Sequence, residues 1–90
     1  DLLAREYLLH YIEKVADDAN GPTLIYVTHH VEEILPCFTH TLLMREGEVF
    51  SSGTTKEQLT EEKLSSFFER PVSIQTQQNR IWLALKELVK

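Results

Sequence analysis

The sequence predicts a mixed α/β fold, and three features of the 90-residue chain lead to that prediction. Leu2 to Ala16 carries apolar residues at helical spacing, and Asp1 before it is a good N-cap. Thr23 to Thr28 is apolar with little alternation, as in a parallel strand covered on both faces. Two β-prone segments on either side of Glu46-Gly47 predict a hairpin.

Shorter helices are predicted around these elements. Val31 to Leu35 reads as a short helix that Pro36 ends or bends. Thr55 to Gln58 has the form of a capping box, with Thr55 as the N-cap and Gln58 three residues later. Thr60 is expected to cap a helix from Glu61 to Phe68.

The last predicted element is an amphipathic helix after Pro71, from Gln75 to Lys90. Ile81, Leu85 and Leu88 recur at helical spacing, and Trp82 lies on an adjoining stripe. Such a helix needs a partner surface, so a dimerising or regulatory role would belong to this region.

Composition limits the classes of function. The net charge is −5 and the nine basic residues are scattered, which argues against nucleic acid as a partner. The single cysteine, Cys37, excludes an internal disulfide and fits a reducing compartment. A single buried strand cannot form a parallel sheet, and the chain starts at Asp1 without Met. Both features suggest a fragment of a larger domain.

The candidate functional residue is His29, which follows the apolar run at Thr28 and precedes Val31-Glu32-Glu33. The carboxyl end of a buried strand is where open α/β sheets bind their ligands. An imidazole there can donate a hydrogen bond to a phosphate oxygen or carry a proton near neutral pH. The alternative is a histidine that only caps the following helix, and the octapeptide leaves both open.

A metal site is a weaker alternative. Histidine and cysteine are the usual zinc ligands, but their spacing here matches no compact zinc motif, so no metal site is predicted; the residues concerned are His29, His30, Cys37 and His40. Glu32 and Glu33 are interpreted as partners of the positive helix end rather than as an acid–base pair.

Taken in order, these pieces resemble the C-terminal part of an ABC transporter ATP-binding subunit over roughly residues 1–70. The matching segments are Asp1-Leu2-Leu3-Ala4-Arg5 (the end of the D-loop), Leu24 to Thr28, Thr28-His29 (the switch-histidine loop), Arg45-Glu46-Gly47-Glu48-Val49, Ser52-Gly53-Thr54 and Glu57-Gln58-Leu59-Thr60. His30 departs from the family, which usually has Asp there, although histidine pairs occur in relatives of molybdate-type importers.

The resemblance implies a partial fold of the P-loop NTPase type. Residues 1–70 would be the C-terminal part of the nucleotide-binding domain, and 71–90 a helical extension. It implies that His29 is catalytic, binding the ATP γ-phosphate and helping to hold the attacking water. Asp1 would reach across the dimer as the D-loop residue, or would act only as a helix cap.

Motifs that are missing from the 90 residues complete this interpretation. There is no phosphate loop of the form G-x-x-x-x-G-K-[ST], no LSGGQ-type signature and no Asp-Glu pair after an apolar strand. ATP and Mg²⁺ would therefore belong to the full-length subunit, and the fragment alone would be inactive.

The resemblance also implies partners and a location. The partners would be the missing N-terminal part, a second nucleotide-binding subunit and a transmembrane permease. The location would be cytoplasmic, on the inner face of the cell membrane. The alternative function is a stand-alone, non-catalytic module that binds a partner protein through its acidic surface and tail helix.

Overall fold

The computed structural model describes residues 1–86, which form a mixed α/β arrangement. In chain order the elements are α1 (Leu2–Ala16), a 3-10 helix (Val31–Glu33), β1 (His40–Arg45), β2 (Glu48–Thr54), α2 (Thr55–Gln58), α3 (Glu61–Phe68), β3 (Val72–Gln77) and β4 (Arg80–Leu85). Within this part of the chain, the strands form two separate antiparallel hairpins, β1–β2 and β3–β4. No helix among the described residues is long and apolar enough to span a membrane.

Helix α1 begins as the sequence predicts. The Asp1 carboxylate accepts a hydrogen bond from the backbone N–H of Leu3 at 3.0 Å, which satisfies one of the free amides of the first turn. The most buried side chain of the helix is Leu9, which is 2% exposed. Leu8, predicted on the apolar face, is 49% exposed. The apolar stripe is therefore broader than the surface that the described residues cover.

The first hairpin confirms the prediction made from Glu46-Gly47. Arg45 pairs with Glu48, so Glu46 and Gly47 form a two-residue turn, and both turn residues have positive φ (54° and 78°). Such a turn matches the right-handed twist of the strands, and glycine adopts it without steric cost. The register shifts after Leu43, so that Phe50 is an extra residue in β2.

The hydrophobic core lies between the two hairpins and α3. Its buried members are Leu43, Leu64 and Val72, of which Leu64 is 0% exposed. Partly buried apolar side chains surround them, namely Phe50, Leu59, Phe67, Ile74, Ile81 and Leu83. Residues from both hairpins thus share one core, and α3 connects them.

The capping box is present but lies one residue earlier than predicted. Thr54 is the N-cap of α2 and accepts from the N–H of Glu57 at 3.2 Å, while the Glu57 carboxylate accepts from the Thr54 N–H at 3.1 Å. The Thr55 hydroxyl instead donates to the Phe38 carbonyl at 2.7 Å. Strand β2 extends to Thr54, which places the helix start there. Thr60 caps α3 as predicted, accepting from Lys63 N–H.

The apolar segment from Thr23 to Thr28 does not form a strand in the described structure, contrary to the prediction. A strand needs neighbouring strands for its backbone hydrogen bonds, and among residues 1–86 none pairs with it. Its side chains alternate in exposure, since Ile25 and Val27 are each 88% exposed while Leu24 and Tyr26 are half-buried. The helix predicted from Val31 to Leu35 is reduced to a single 3-10 turn.

The predicted tail helix is wrong over the described residues. Val72–Gln77 and Arg80–Leu85 pair as an antiparallel hairpin, and Gln78 and Asn79 form its turn with φ of 53° and 64°. The run Ile81-Trp82-Leu83 favours a strand, and the hairpin buries apolar side chains against Leu64. Leu88, the last residue of the predicted helical stripe, lies outside the described residues.

Candidate functional site

His29 lies at a bend that its neighbours hold in place. The Thr28 hydroxyl oxygen accepts a hydrogen bond from the His30 N–H at 3.0 Å, closing a tight loop around His29. The same hydroxyl donates to the Glu33 carboxylate. The His29 side chain is exposed. We call residues 28–34 the histidine loop. Its own hydrogen bonds fix the backbone and leave the imidazole accessible to a ligand.

The Glu33 carboxylate is the buried anion of this loop, and the residue is only 8% exposed. It accepts hydrogen bonds from Thr28 and from the Tyr26 hydroxyl, the latter at 3.0 Å. The hydrogen bond from Thr28 is the main reason that the pKa of Glu33 lies below its ordinary value of 4.5. Burial raises the pKa of the Tyr26 hydroxyl above 10.0, and its hydrogen bond to Glu33 adds to that shift. Glu33 is therefore held as an anion that anchors both ends of the bend.

Arg5 joins helix α1 to the histidine loop. Its Nη1 lies 3.4 Å from Glu32 Oε1 and 3.9 Å from Glu33 Oε2. His30 Nδ1 lies 3.6 Å from the same Glu32 oxygen. His30 occupies the N-cap position of the 3-10 helix, but its side chain makes no capping hydrogen bond. His29 therefore lies one residue before the cap position, and the His30 side chain does not cap the helix.

Arg80, at the start of β4, holds α1 and the histidine loop from the other side. Its Nε and Nη2 both donate to the Glu32 carbonyl oxygen, at 3.1 and 2.7 Å. Its Nη1 donates to Glu6 Oε1 at 2.7 Å, and the pair with Glu6 is a two-point contact. The guanidinium also lies over the ring of Trp82, 5.1 Å from its centroid. The second hairpin thus contacts the candidate site directly.

An open groove lies between α1 and the histidine loop. Among the described residues it is lined by Asp1, Leu2, Ala4, Arg5, Leu8, Tyr26, His30 and Glu33. Of the predicted site residues, Asp1 lies in this groove, whereas His29 is on the adjacent bend and does not line it. Within residues 1–86, no group of three or more His, Cys, Asp or Glu side chains is arranged to hold a metal ion.

Sequence reasoning selected His29 as the candidate residue but missed the side chains that hold its loop. Arg5, Glu6 and Arg80 lie far apart in the chain, so no local spacing marks them as partners. One signal was available for Arg80. Asn79 is a turn former between two β-prone runs, and it is compatible with a hairpin whose second strand begins at Arg80.

No protein-family model matches the chain. Comparison with curated proteins nevertheless shows that the chain belongs to the family of ABC transporter ATP-binding proteins. It is 48% identical over 87 residues to an uncharacterized ABC transporter ATP-binding protein of Bacillus subtilis, YlmA, covering 97% of the chain and 33% of YlmA. A putative ABC transporter ATP-binding protein of Streptococcus mutans is 45% identical over 74 residues, covering 82% of the chain and 28% of that protein.

The molybdenum import ATP-binding protein ModC of Photobacterium profundum is also similar, at 38% identity over 53 residues. That match covers 59% of the chain and 14% of ModC. The chain thus spans about a third of the length of the curated relatives it matches most fully, and it corresponds to their C-terminal part.

Proposed function

We propose that this chain is the histidine-bearing C-terminal part of the ATP-hydrolysing subunit of an ABC transporter. The observation that carries the proposal is the exposed His29 on a bend fixed by Thr28 and Glu33. A side chain that must meet a phosphate needs an accessible imidazole on a backbone that does not move away. The family of the chain supplies the reaction, which is hydrolysis of ATP to drive transport.

In this proposal His29 is the switch residue. Its imidazole donates a hydrogen bond to the γ-phosphate of ATP and helps to hold the attacking water in line with the phosphorus. Phosphoryl transfer demands positioning and stabilisation of developing charge more than covalent chemistry from the protein. Glu33 contributes through the backbone, because its carboxylate holds Thr28 immediately before His29.

Asp1 has a role that the structure supports only as a helix cap, through its hydrogen bond to the Leu3 N–H. We propose that in the intact subunit it also reaches the second nucleotide-binding subunit. Its place beside Arg5 and His30 in the open groove supports that role, because the groove adjoins the histidine loop.

ATP and Mg²⁺ are proposed for the intact subunit and not for these residues alone. Among the described residues, His29 can donate a hydrogen bond to a phosphate oxygen, but the sequence contains no phosphate loop. When bound, Mg²⁺ would neutralise part of the phosphate charge. The residues of this chain would orient the γ-phosphate and the water. On its own, therefore, the fragment should neither hold ATP tightly nor hydrolyse it.

The larger assembly follows from the same proposal. Residues 1–70 would complete a P-loop NTPase-type domain together with the N-terminal part of the subunit. Residues 71–90 would be an extension, which begins with the β3–β4 hairpin rather than a helix. The subunit would pair with a second nucleotide-binding subunit and with a permease, on the cytoplasmic face of the membrane. The names of the relatives support the transporter role.

The experiment is to replace His29 with Ala in the full-length subunit and to use His30→Ala as the matched control. His29→Ala should lower the ATP turnover rate by on the order of 100-fold, as loss of a single charge-stabilising donor does. The affinity for ATP should remain close to that of the wild type. His30→Ala should change turnover much less, because the His30 imidazole lies beside the Glu32 carboxylate, with Nδ1 3.6 Å from Oε1.

Steady-state ATPase kinetics and equilibrium binding of a fluorescent ATP analogue would separate the two effects. Wild-type turnover in His29→Ala would remove His29 from the mechanism. Equal losses in both variants would show that the loop as a whole, and not this one imidazole, is required.

A further inference from the structure

We propose that Arg80 is a positioning residue, through which the β3–β4 hairpin sets the place of the histidine loop relative to helix α1. The proposal rests on the proposed function, because it takes His29 as the side chain whose position matters. It assigns the region after Pro71 a role in the site itself, and it names the contact responsible.

The contacts of Arg80 are those of a clamp between two elements. Its side chain is 16% exposed, so the guanidinium is largely removed from water. Nε and Nη2 donate to the Glu32 carbonyl, and Nη1 and Nη2 reach the two carboxylate oxygens of Glu6, with the closest contacts at 2.7 Å. Charge-assisted, two-point contacts of this kind are stronger and more directional than ordinary hydrogen bonds.

The two elements that Arg80 joins are the ones that carry the proposed site residues. Glu6 lies on α1, whose first turn is capped by Asp1. Glu32 lies in the 3-10 helix three residues after His29. Within that helix the Glu33 and Ile34 amides donate to the carbonyls of His30 and Val31, each at 3.0 Å. The Arg80 guanidinium therefore fixes α1 and the histidine loop against each other, in addition to the contacts of Arg5 with Glu32 and Glu33.

Lysine cannot reproduce this arrangement. The guanidinium is a rigid, planar group with five donors, whereas an ammonium is a compact point charge. Arg80→Lys would keep the charge beside Glu6 but could not also span the Glu32 carbonyl. The Lys variant therefore tests geometry, while Arg80→Ala tests geometry and charge together.

Arg45 offers a matched control elsewhere in the fold. Its Nη1 donates to the Phe67 carbonyl at 2.8 Å and to the Ser66 carbonyl at 3.3 Å, it lies 3.5 Å from Glu69, and its guanidinium lies over Phe50. It is thus another hairpin arginine that holds the carbonyls of a helix and lies over an aromatic ring. It contacts α3 and not the histidine loop, so its loss should affect stability without moving His29.

The experiment compares Arg80→Lys, Arg80→Ala and Arg45→Ala in the full-length subunit. Both Arg80 variants should lower kcat by at least about tenfold with little change in KM, because a displacement near 1 Å can cost on the order of 100-fold in rate. Arg80→Lys should be the milder of the two. Arg45→Ala should lower the melting temperature but leave kcat close to the wild-type value.

Hydrogen exchange at the Glu33 and Ile34 amides provides a readout that does not depend on catalysis. Exchange there should speed up in both Arg80 variants and stay unchanged in Arg45→Ala. Unchanged exchange in the Arg80 variants would overturn the proposal. So would a kcat loss in Arg45→Ala as large as that in Arg80→Ala, since a general loss of stability would then explain both.

The His29→Ala variant keeps this proposal separate from the proposed function. If His29→Ala turns over normally while exchange still speeds up in Arg80→Ala, the clamp exists but the catalytic role of His29 has failed. If His29→Ala is inactive and the Arg80 variants retain wild-type kcat, the positioning role of Arg80 is wrong and His29 stands.

Discussion

At the scale of single residues, Glu33 holds the candidate site together. It is a carboxylate that is almost fully buried, and a buried charge is tolerated only when hydrogen bonds and opposite charges compensate for the lost water. Here Thr28, Tyr26 and Arg5 supply that compensation. Because Thr28 and Tyr26 lie one and three residues before His29 and Arg5 lies on α1, the Glu33 anion connects the bend to the helix.

We predict that Glu33→Gln lowers the free energy of unfolding of the full-length subunit by about 1–3 kcal/mol at neutral pH. The amide cannot carry the charge that Arg5 faces. A smaller effect is expected for Glu32→Gln, since Glu32 is more exposed. Urea unfolding monitored by tryptophan fluorescence measures both, and an equal loss in the two variants would contradict a special role for Glu33.

The difference in stability between the wild type and Glu33→Gln should depend on pH, because the pKa of Glu33 is lowered in the folded protein. A carboxyl whose pKa is lower in the folded than in the unfolded state stabilises the fold fully above its unfolded value, near 4.5. That contribution is lost as the pH falls through the folded value. The gap in stability between wild type and Glu33→Gln should therefore be largest from pH 6 to 7 and should shrink below 4.5. A gap that grew on acidification would show the opposite sign of shift.

At the scale of elements, the two hairpins use the same type of turn with different residues. Glu46-Gly47 and Gln78-Asn79 all have positive φ, but only the first turn contains a glycine. A residue such as Gln in the left-handed region costs about 1 kcal/mol, whereas Asn tolerates it better because its short side chain bonds locally. The second hairpin is therefore held in part by its contacts with α1 and the histidine loop rather than by its turn alone.

We predict that Gln78→Asn stabilises the subunit by about 0.5 kcal/mol, because Asn suits the first position of such a turn. Gly47→Ala in the other hairpin should have the opposite sign, since Ala at a φ of 78° is strained. Nothing lies within 4 Å of the added Cβ, so the loss would come from the backbone and not from a clash. Thermal unfolding of the two variants would measure these changes in stability. A lower melting temperature in Gln78→Asn would contradict the assignment of the turn.

At the scale of the whole molecule, the described chain leaves several large apolar side chains uncovered. Ile25 and Val27 are each 88% exposed, and Leu2, Leu3, Tyr7 and Tyr11 on α1 are each between 66% and 74% exposed. Large apolar side chains exposed in this number normally indicate surfaces that another segment or partner covers. The relatives are about three times as long as the matched region, so in our proposal the rest of the subunit covers these side chains.

We predict that Ile25→Asp in the full-length subunit lowers the free energy of unfolding by at least about 3 kcal/mol, through lost burial and an unpaired charge. Val49→Asp is the control, since Val49 is 57% exposed beside a hairpin turn. The full-length subunit with Ile25→Asp should melt well below the control variant. Equal melting temperatures would mean that Thr23 to Thr28 is not a buried strand in the intact protein.

Sequence signals from adjacent residues were sufficient to predict several elements. Asp1 and Thr60 were correctly predicted as helix caps, and Glu46-Gly47 as a hairpin turn, because each depends on a few adjacent residues. The position of His29 after an apolar run was also readable from sequence. These predictions depend on backbone conformation at one or two positions, which the local residue types largely determine.

The remaining features depended on contacts between distant residues. The tail pattern of Ile81 and Leu85 fits a helix by spacing, but packing against Leu64 selected a hairpin in the described structure. Arg80 meets Glu6 across 74 positions of sequence, and no periodicity encodes such a pair. The sequence by itself therefore determined the helix caps at Asp1 and Thr60, the turn at Glu46-Gly47 and the place of His29 directly after an apolar run. Only the tertiary structure decided what holds that histidine in place, because burial and ion pairing arise when separate elements meet.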